Sequence, residues 1–220
     1  VKLRIASVIV LAFLAGCRHA GDIADEANGI WAVRSDCPIA GVPAGTGDIT
    51  LFNPPGAGDP GPGRVIDSRA IDVTATITDV RATCVDSGAD VVSTATFTVV
   101  ALRRDPGAAR QVVLPYFDVI LQGGTKVAAK RLGQVVLNFG PGSVHAWARV
   151  QASARVNRGA AVLPANVRQL LTRERKPGAT EAAIDPLADP AVRAAVASAT
   201  FEHLVGFQMS TEQLKYNATR

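Results

Sequence analysis

Clustered basic residues, long apolar runs and catalytic signatures are all scarce in this chain, and each shortage removes a class of function. No apolar stretch reaches the roughly 20 residues that a helix needs to cross a bilayer; the longest, 5–15, lies near the front of the chain. Aromatic residues make up only 5% of the sequence, and the densest basic run, 173–176, is interrupted by Glu174. A nucleic-acid interface would need clustered cations with interleaved aromatics, so that run reads instead as the solvated end of a helix, and no nucleic-acid partner is expected.

Histidine is equally sparse. His19, His145 and His203 are isolated, with no second ligand type at metal spacing, so no metal centre is expected; His145 reads as a surface or rim residue, and His203 beside Glu202 as a titrating group or polar packing. No GxSxG elbow occurs, and Gly140-Pro141-Gly142-Ser143 lacks the strand-to-helix setting of such a nucleophile; it reads as a hairpin turn. Gln122-Gly123-Gly124-Thr125 joins two strand-like runs and opens no helix, which excludes a phosphate-binding loop there. Carboxylates are scattered through the loops, and scatter does not make a glycosidase pair. These absences assign no catalytic residue and no cofactor.

What is present begins with Lys2 and Arg4, followed by the apolar run and then Leu14-Ala15-Gly16-Cys17. A charged start, an apolar stretch of this length and a small-residue ending have the form of a signal peptide. The ending resembles the lipobox of bacterial lipoproteins. That resemblance covers residues 1–17 and implies a leader over 1–16, a diacylglycerol on Cys17, a lipidated tether over 17–28 and a membrane as partner. At about 0.8 kcal/mol per buried methylene, one acyl chain is a marginal anchor and two or three a lasting one, so the body needs no membrane-binding surface of its own. Arg18 stands where lipoproteins kept at the inner membrane of enteric bacteria carry Asp, which points to the periplasmic leaflet of the outer membrane.

Only three cysteines occur, and with Cys17 assigned, Cys37 and Cys84 remain as an even pair in an oxidising compartment. A Cys37–Cys84 disulfide is therefore expected. A metal site is the rival, and neither CxxC spacing nor a nearby histidine supports it. Loss of the two leader cations lowers the net charge from +4 by two, so the basic pI says little about partners.

A hydrophobic fraction of 48%, largely Ala and Val, supports a real core and excludes disorder throughout. Runs 30–34, 48–52, 71–77, 91–102, 111–121, 126–130, 134–139 and 143–156 read as strands. In 71–77, Ile71, Val73, Ala75 and Ile77 alternate with Asp72, Thr74 and Thr76 at the period of two that a half-buried strand requires. Pro115 places its strand at an edge or a bulge. The Gly- and Pro-rich stretch 53–63 reads as a surface loop.

Strands linked by turns indicate a mainly β fold, an antiparallel immunoglobulin-like sandwich over 29–158, with a small closed barrel as the alternative. Residues 159–220 read as a helical extension packed on it: one helix after Pro164 stopped by Pro177-Gly178, a second over 190–199, and a third starting at Ser210 with Gln213 as capping-box partner. Phe201, Leu204, Val205, Phe207 and Leu214 require burial. Asn217-Ala218-Thr219 matches a glycosylation acceptor by chance.

These features lead to the expectation of a lipid-anchored, non-enzymatic binding or assembly module of the cell envelope, with another envelope protein as its partner. A carrier of a small apolar or lipid ligand is the alternative, and an envelope hydrolase ranks third.

Overall fold

Threonine- and valine-rich alternation sets the body of the molecule, because branched side chains pack well on a pleated surface. The structure is a computed structural model that describes residues 37–54, 66–173 and 184–219. The leader, Cys17, the tether, His19, the run 30–34 and Pro177-Gly178 lie outside the described residues.

Two four-stranded sheets face each other. One has the order β2 (Asp48–Phe52), β3 (Ile71–Ser87), β4 (Asp90–Arg103) and β7 (His145–Asn157); the other runs β1 (Ile39–Gly41), β8 (Phe201–Phe207), β5 (Arg110–Gln122) and β6 (Lys126–Phe139). The alternation read from the sequence points Val73, Ala75, Ala95, Phe97 and Val99 into the core, against Leu114, Leu137, Phe139, Val205 and Phe207 from the other sheet. Among the described residues each sheet keeps two edges, the arrangement of a sandwich and not of a closed barrel. β4 and β7 are neighbours in one sheet and β5 and β8 in the other, with β4 to β5 and β7 to β8 crossing between sheets. That is the relation of strands B and E, and C and F, in immunoglobulin domains.

Several expectations change. The stretch 201–207 is a strand, not part of a wholly helical extension: β8 lies between β1 and β5, pairing antiparallel with β5 and parallel with β1. Its inward residues Phe201, Val205 and Phe207 are buried there, whereas Leu214 stays exposed on the last helix. The runs 126–130 and 134–139 are one strand, β6, continuous through Gly133. Gly133 is opposite Tyr116, whose ring lies across it and would have to move to admit a Cβ. The Tyr116 ring in turn meets Phe97 edge-on at 5.4 Å.

Pro115 is on an interior strand, not an edge strand. It is tolerated because β8 pairing begins one residue later, at Tyr116 with Phe207, and only its carbonyl is used, accepting from the Gln208 N–H at 2.9 Å. β3 bulges between Thr78 and Arg81, where Asp79 adopts φ 52°.

Gly140-Pro141-Gly142-Ser143 is not a hairpin turn, since β6 and β7 belong to different sheets. This corner is held by Arg103, only 4% exposed. Its Nε donates to Ser143 O at 2.6 Å, Nη1 to Ala108 O at 2.7 Å, and Nη2 to Gly107 O and Gly140 O at 3.0 Å each. The guanidinium also lies over the Phe139 ring.

Among the described residues four α-helices complete the fold: α1 (Arg158–Ala161), α2 (Ala165–Thr172), α3 (Pro190–Ala199) and α4 (Thr211–Thr219). α3 has the expected bounds, with Pro190 in its first turn and Asp189 accepting from the Ala191 N–H. The capping box also forms: Gln213 Oε1 accepts from the Ser210 N–H at 2.9 Å, and Ser210 Oγ from the Gln213 N–H at 3.2 Å. α4 then packs on β2 through Tyr216 and Phe52.

Cys37 and Cys84 form a disulfide, with their Cα atoms 5.9 Å apart. It ties the segment leading into β1 of one sheet to β3 of the other. Replacing both cysteines with alanine is expected to lower stability by about 4 kcal/mol, the chain-entropy value for a loop of this length. Urea unfolding of the two chains checks it, and coincident midpoints would show that the cross-link contributes nothing.

Candidate functional site

Two features distinguish the sandwich. The first is a polar layer inside it. On the inward face of β4, Ser93 interrupts the series Val91, Ala95, Phe97, and on β8 His203 stands between Phe201 and Val205. On β5, Asp118 falls between Tyr116 and Ile120. The layer separates the main apolar cluster from a smaller one formed by Ile120, Ala154, Val156, Ala161 and Phe201.

The three side chains are linked: Ser93 Oγ is 2.9 Å from His203 Nδ1, and His203 Nε2 is 2.7 Å from Asp118 Oδ1. A neutral imidazole that donates from Nε2 to the carboxylate and accepts the Ser93 hydroxyl at Nδ1 satisfies every one of these groups. Arg131, opposite Asp118 on β6, approaches the other carboxylate oxygen at 3.7 Å and donates to the Ser153 carbonyl on β7. The chain of contacts thus runs from one sheet through the core to the other and back from β6 to β7.

Serine, histidine and aspartate are the residue types of an acyl-transfer triad. Here the imidazole faces are reversed relative to that template, and Ser93 lies within a regular strand. Ser93 and His203 are both 0% exposed, so no substrate carbonyl could stand beside the hydroxyl. What the arrangement does is join β4 to β8, the strands that correspond to B and F, which a disulfide connects in antibody domains. The disulfide of this chain lies elsewhere, and a hydrogen bond occupies its place.

The carboxylate also acts on its neighbour: burial first, and the Asp118 charge second, push the Tyr116 hydroxyl above its ordinary pKa of 10.0.

The second feature is the outer face of the β2–β3–β4–β7 sheet. Here β7 displays His145, Trp147, Arg149, Gln151, Ser153 and Arg155, all exposed. Trp147 is 71% exposed and pairs across the ladder with Val100; Leu102, beside it on β4, is also exposed. Arg149 pairs with Thr98 and Gln151 with Thr96. His145 thus belongs to this surface, as its alternation with Trp147 indicated, and His203 belongs to the core.

Asn217 serves the fold: its Nδ2 donates to Gly45 O at 3.0 Å and Asp48 O at 2.8 Å, clasping α4 to the loop before β2. Ser93 and Asp118 were not singled out from the sequence, although each breaks an inward apolar series. An open depression of about 480 Å³ lies against Arg110 and Phe139, at the far end of β5 from Asp118. Among the described residues no cluster of three His, Cys, Asp or Glu could hold a metal ion, and no helix is long and apolar enough to cross a membrane.

Comparison with protein-family models, with curated proteins and with solved structures finds no match to this chain.

Proposed function

We propose that this is a lipid-anchored envelope module that binds a partner through the outer face of the β2–β3–β4–β7 sheet. The observation that carries the reading is Trp147. A tryptophan left 71% exposed on a regular sheet, beside exposed Val100 and Leu102, is a large apolar surface with no partner within the described fold. The leader, the Cys17 lipobox and Arg18 support an address at the outer membrane. The Ser93–His203–Asp118 set belongs in this reading to the scaffold, because a hydrolase would need Ser93 within reach of solvent.

A photo-crosslinking residue placed at Trp147 is expected to trap a partner in intact cells, whereas one placed at Leu132, exposed on β6 of the other sheet, is not. Equal adducts at both positions would sink the binding face, and none at 147 would exclude a protein as its partner. Cys17→Ser is expected to move the protein out of the membrane fraction; unchanged fractionation would remove the anchor.

A further inference from the structure

We infer that the outer face around Trp147 is a site for an acidic polysaccharide, a proposal that rests on the binding face described above and names its ligand. A protein partner is anchored by a cluster of aromatic and aliphatic side chains that become fully desolvated in pockets. Here three exposed apolar side chains stand on an open sheet, and a line of polar and cationic side chains runs away from them along β7. One indole stands on a flat sheet with Val100 and Leu102 on one side, and with Arg149, Thr98 and Gln151 on the other.

Side chains two apart on a strand are separated by about 6.8 Å and those on neighbouring strands by about 4.8 Å. Hydroxyl, guanidinium and amide groups therefore form a track leading away from the indole, with Arg149 about 6.8 Å and Gln151 about 13.6 Å along β7 from it. The C–H face of a pyranose can stack on Trp147 while its hydroxyls meet Thr98, and a following sugar along the track reaches Gln151. A carboxylate on the sugar suits the planar fork of Arg149, which binds such groups through two parallel N–H donors.

Charge selects the acidic class. Arg149 and Arg155, both exposed, make no ion pair among the described residues, so their charge is available to a ligand. The third cation on the face, Arg81, is held by Asp79 at 2.7 Å. Asp48 stands at the opposite margin, under α4, and accepts from Thr76 Oγ1 at 2.6 Å. The β7 side of the sheet therefore presents Arg149 and His145 next to the aromatic platform, and Arg155 about 27 Å farther along the strand, where Asp90 of β4 pairs with the nearby Asn157. Polysaccharides bearing carboxylates are the envelope components whose chemistry matches both the platform and the charge.

The test is titration of the full chain in detergent micelles with an oligogalacturonate hexamer and, separately, with neutral chitohexaose, read by tryptophan fluorescence and calorimetry. The acidic hexamer is expected to quench the emission and to lose affinity as salt is raised, and the neutral one to bind more weakly. Trp147→Ala is expected to weaken binding about tenfold or more, as loss of one aromatic stacking partner does. Arg149→Gln, an exposed and conservative change, is expected to remove the preference for the acidic sugar while the fold, checked by circular dichroism, is kept.

Equal affinity for both sugars, or affinity indifferent to Trp147→Ala, would overturn the inference. If neither sugar binds but the crosslinker at 147 traps a protein, the ligand class is wrong and the binding face stands. If neither sugar binds and no adduct forms, both fall.

Discussion

Asp118→Ala is expected to destabilise the sandwich by about 3 kcal/mol, because it leaves the Nε2–H of a fully buried imidazole without an acceptor. Asp118→Asn is milder, since an amide oxygen still accepts that proton while the charge is lost. The triple change Ser93→Ala, His203→Leu, Asp118→Leu removes every polar member of the layer and should recover much of the loss, as uniformly apolar replacements of buried polar groups do. Urea midpoints of the four chains separate the cases; a triple variant no more stable than Asp118→Ala alone would mean that packing, not hydrogen bonding, sets the cost.

A pH readout accompanies this series. The Tyr116 hydroxyl is raised in the folded state, so its contribution to stability is complete below its unfolded value and is lost as pH climbs through the higher folded one. Stability should therefore fall on the alkaline side of pH 10. In Asp118→Asn the Coulombic cause is gone and only burial remains, so the phenol should titrate closer to its ordinary value, a change that absorbance of the tyrosinate detects. An unmoved titration would show that Asp118 does not act on the ring.

Arg103→Met is the other large effect, expected at about 3–5 kcal/mol. The methionine fills much of the volume, yet the carbonyls of Gly107, Ala108, Gly140 and Ser143 lose their shared donor, and only those of Gly107 and Gly140 keep a second one, the N–H groups of Gly142 and Ser143. Arg103→Lys should recover only part, because a single ammonium cannot span four acceptors set out for a planar fork. Thermal unfolding of the three chains checks the order; a lysine variant as stable as the parent would show that charge alone is required.

Much of the architecture was legible because the strands alternate and the helix signals are local. The period of two in 71–77 identified the first part of β3 and its apolar face, the strand-like run 91–102 falls within β4, and Asp189-Pro190 and Ser210 with Gln213 placed α3 and the cap of α4. What escaped was set by tertiary neighbours. Phe201 to Phe207 lies between two helices in the chain, and nothing local announces that it enters a sheet between β1 and β5. Gly133 has the look of a break between two strands, and only Tyr116 lying across it explains the glycine. Pro115 read as the sign of an edge or a bulge; its strand is interior and carries an irregularity between Ile120 and Leu121, while at Pro115 itself what matters is that the β8 ladder starts one residue later.

The polar layer is the instructive case for the site. Ser93 and Asp118 each stand at an inward position of an apolar strand, a mismatch visible in the sequence. Their meeting at His203 depends on three strands from distant parts of the chain, and periodicity cannot supply that. Trp147 was legible as a member of an alternating face, whereas its exposure follows from the position of β7 at a sheet margin with α4 covering only the β2 side.

The late arrival of β8 bears on the proposed route of export. One of the two middle strands of its sheet is supplied by residues 201–207, so β5 has no partner on that side until this segment has been delivered. On that route, a chain still passing through a narrow translocation pore stays open and threadable by its own topology, and locks only after β8 has emerged.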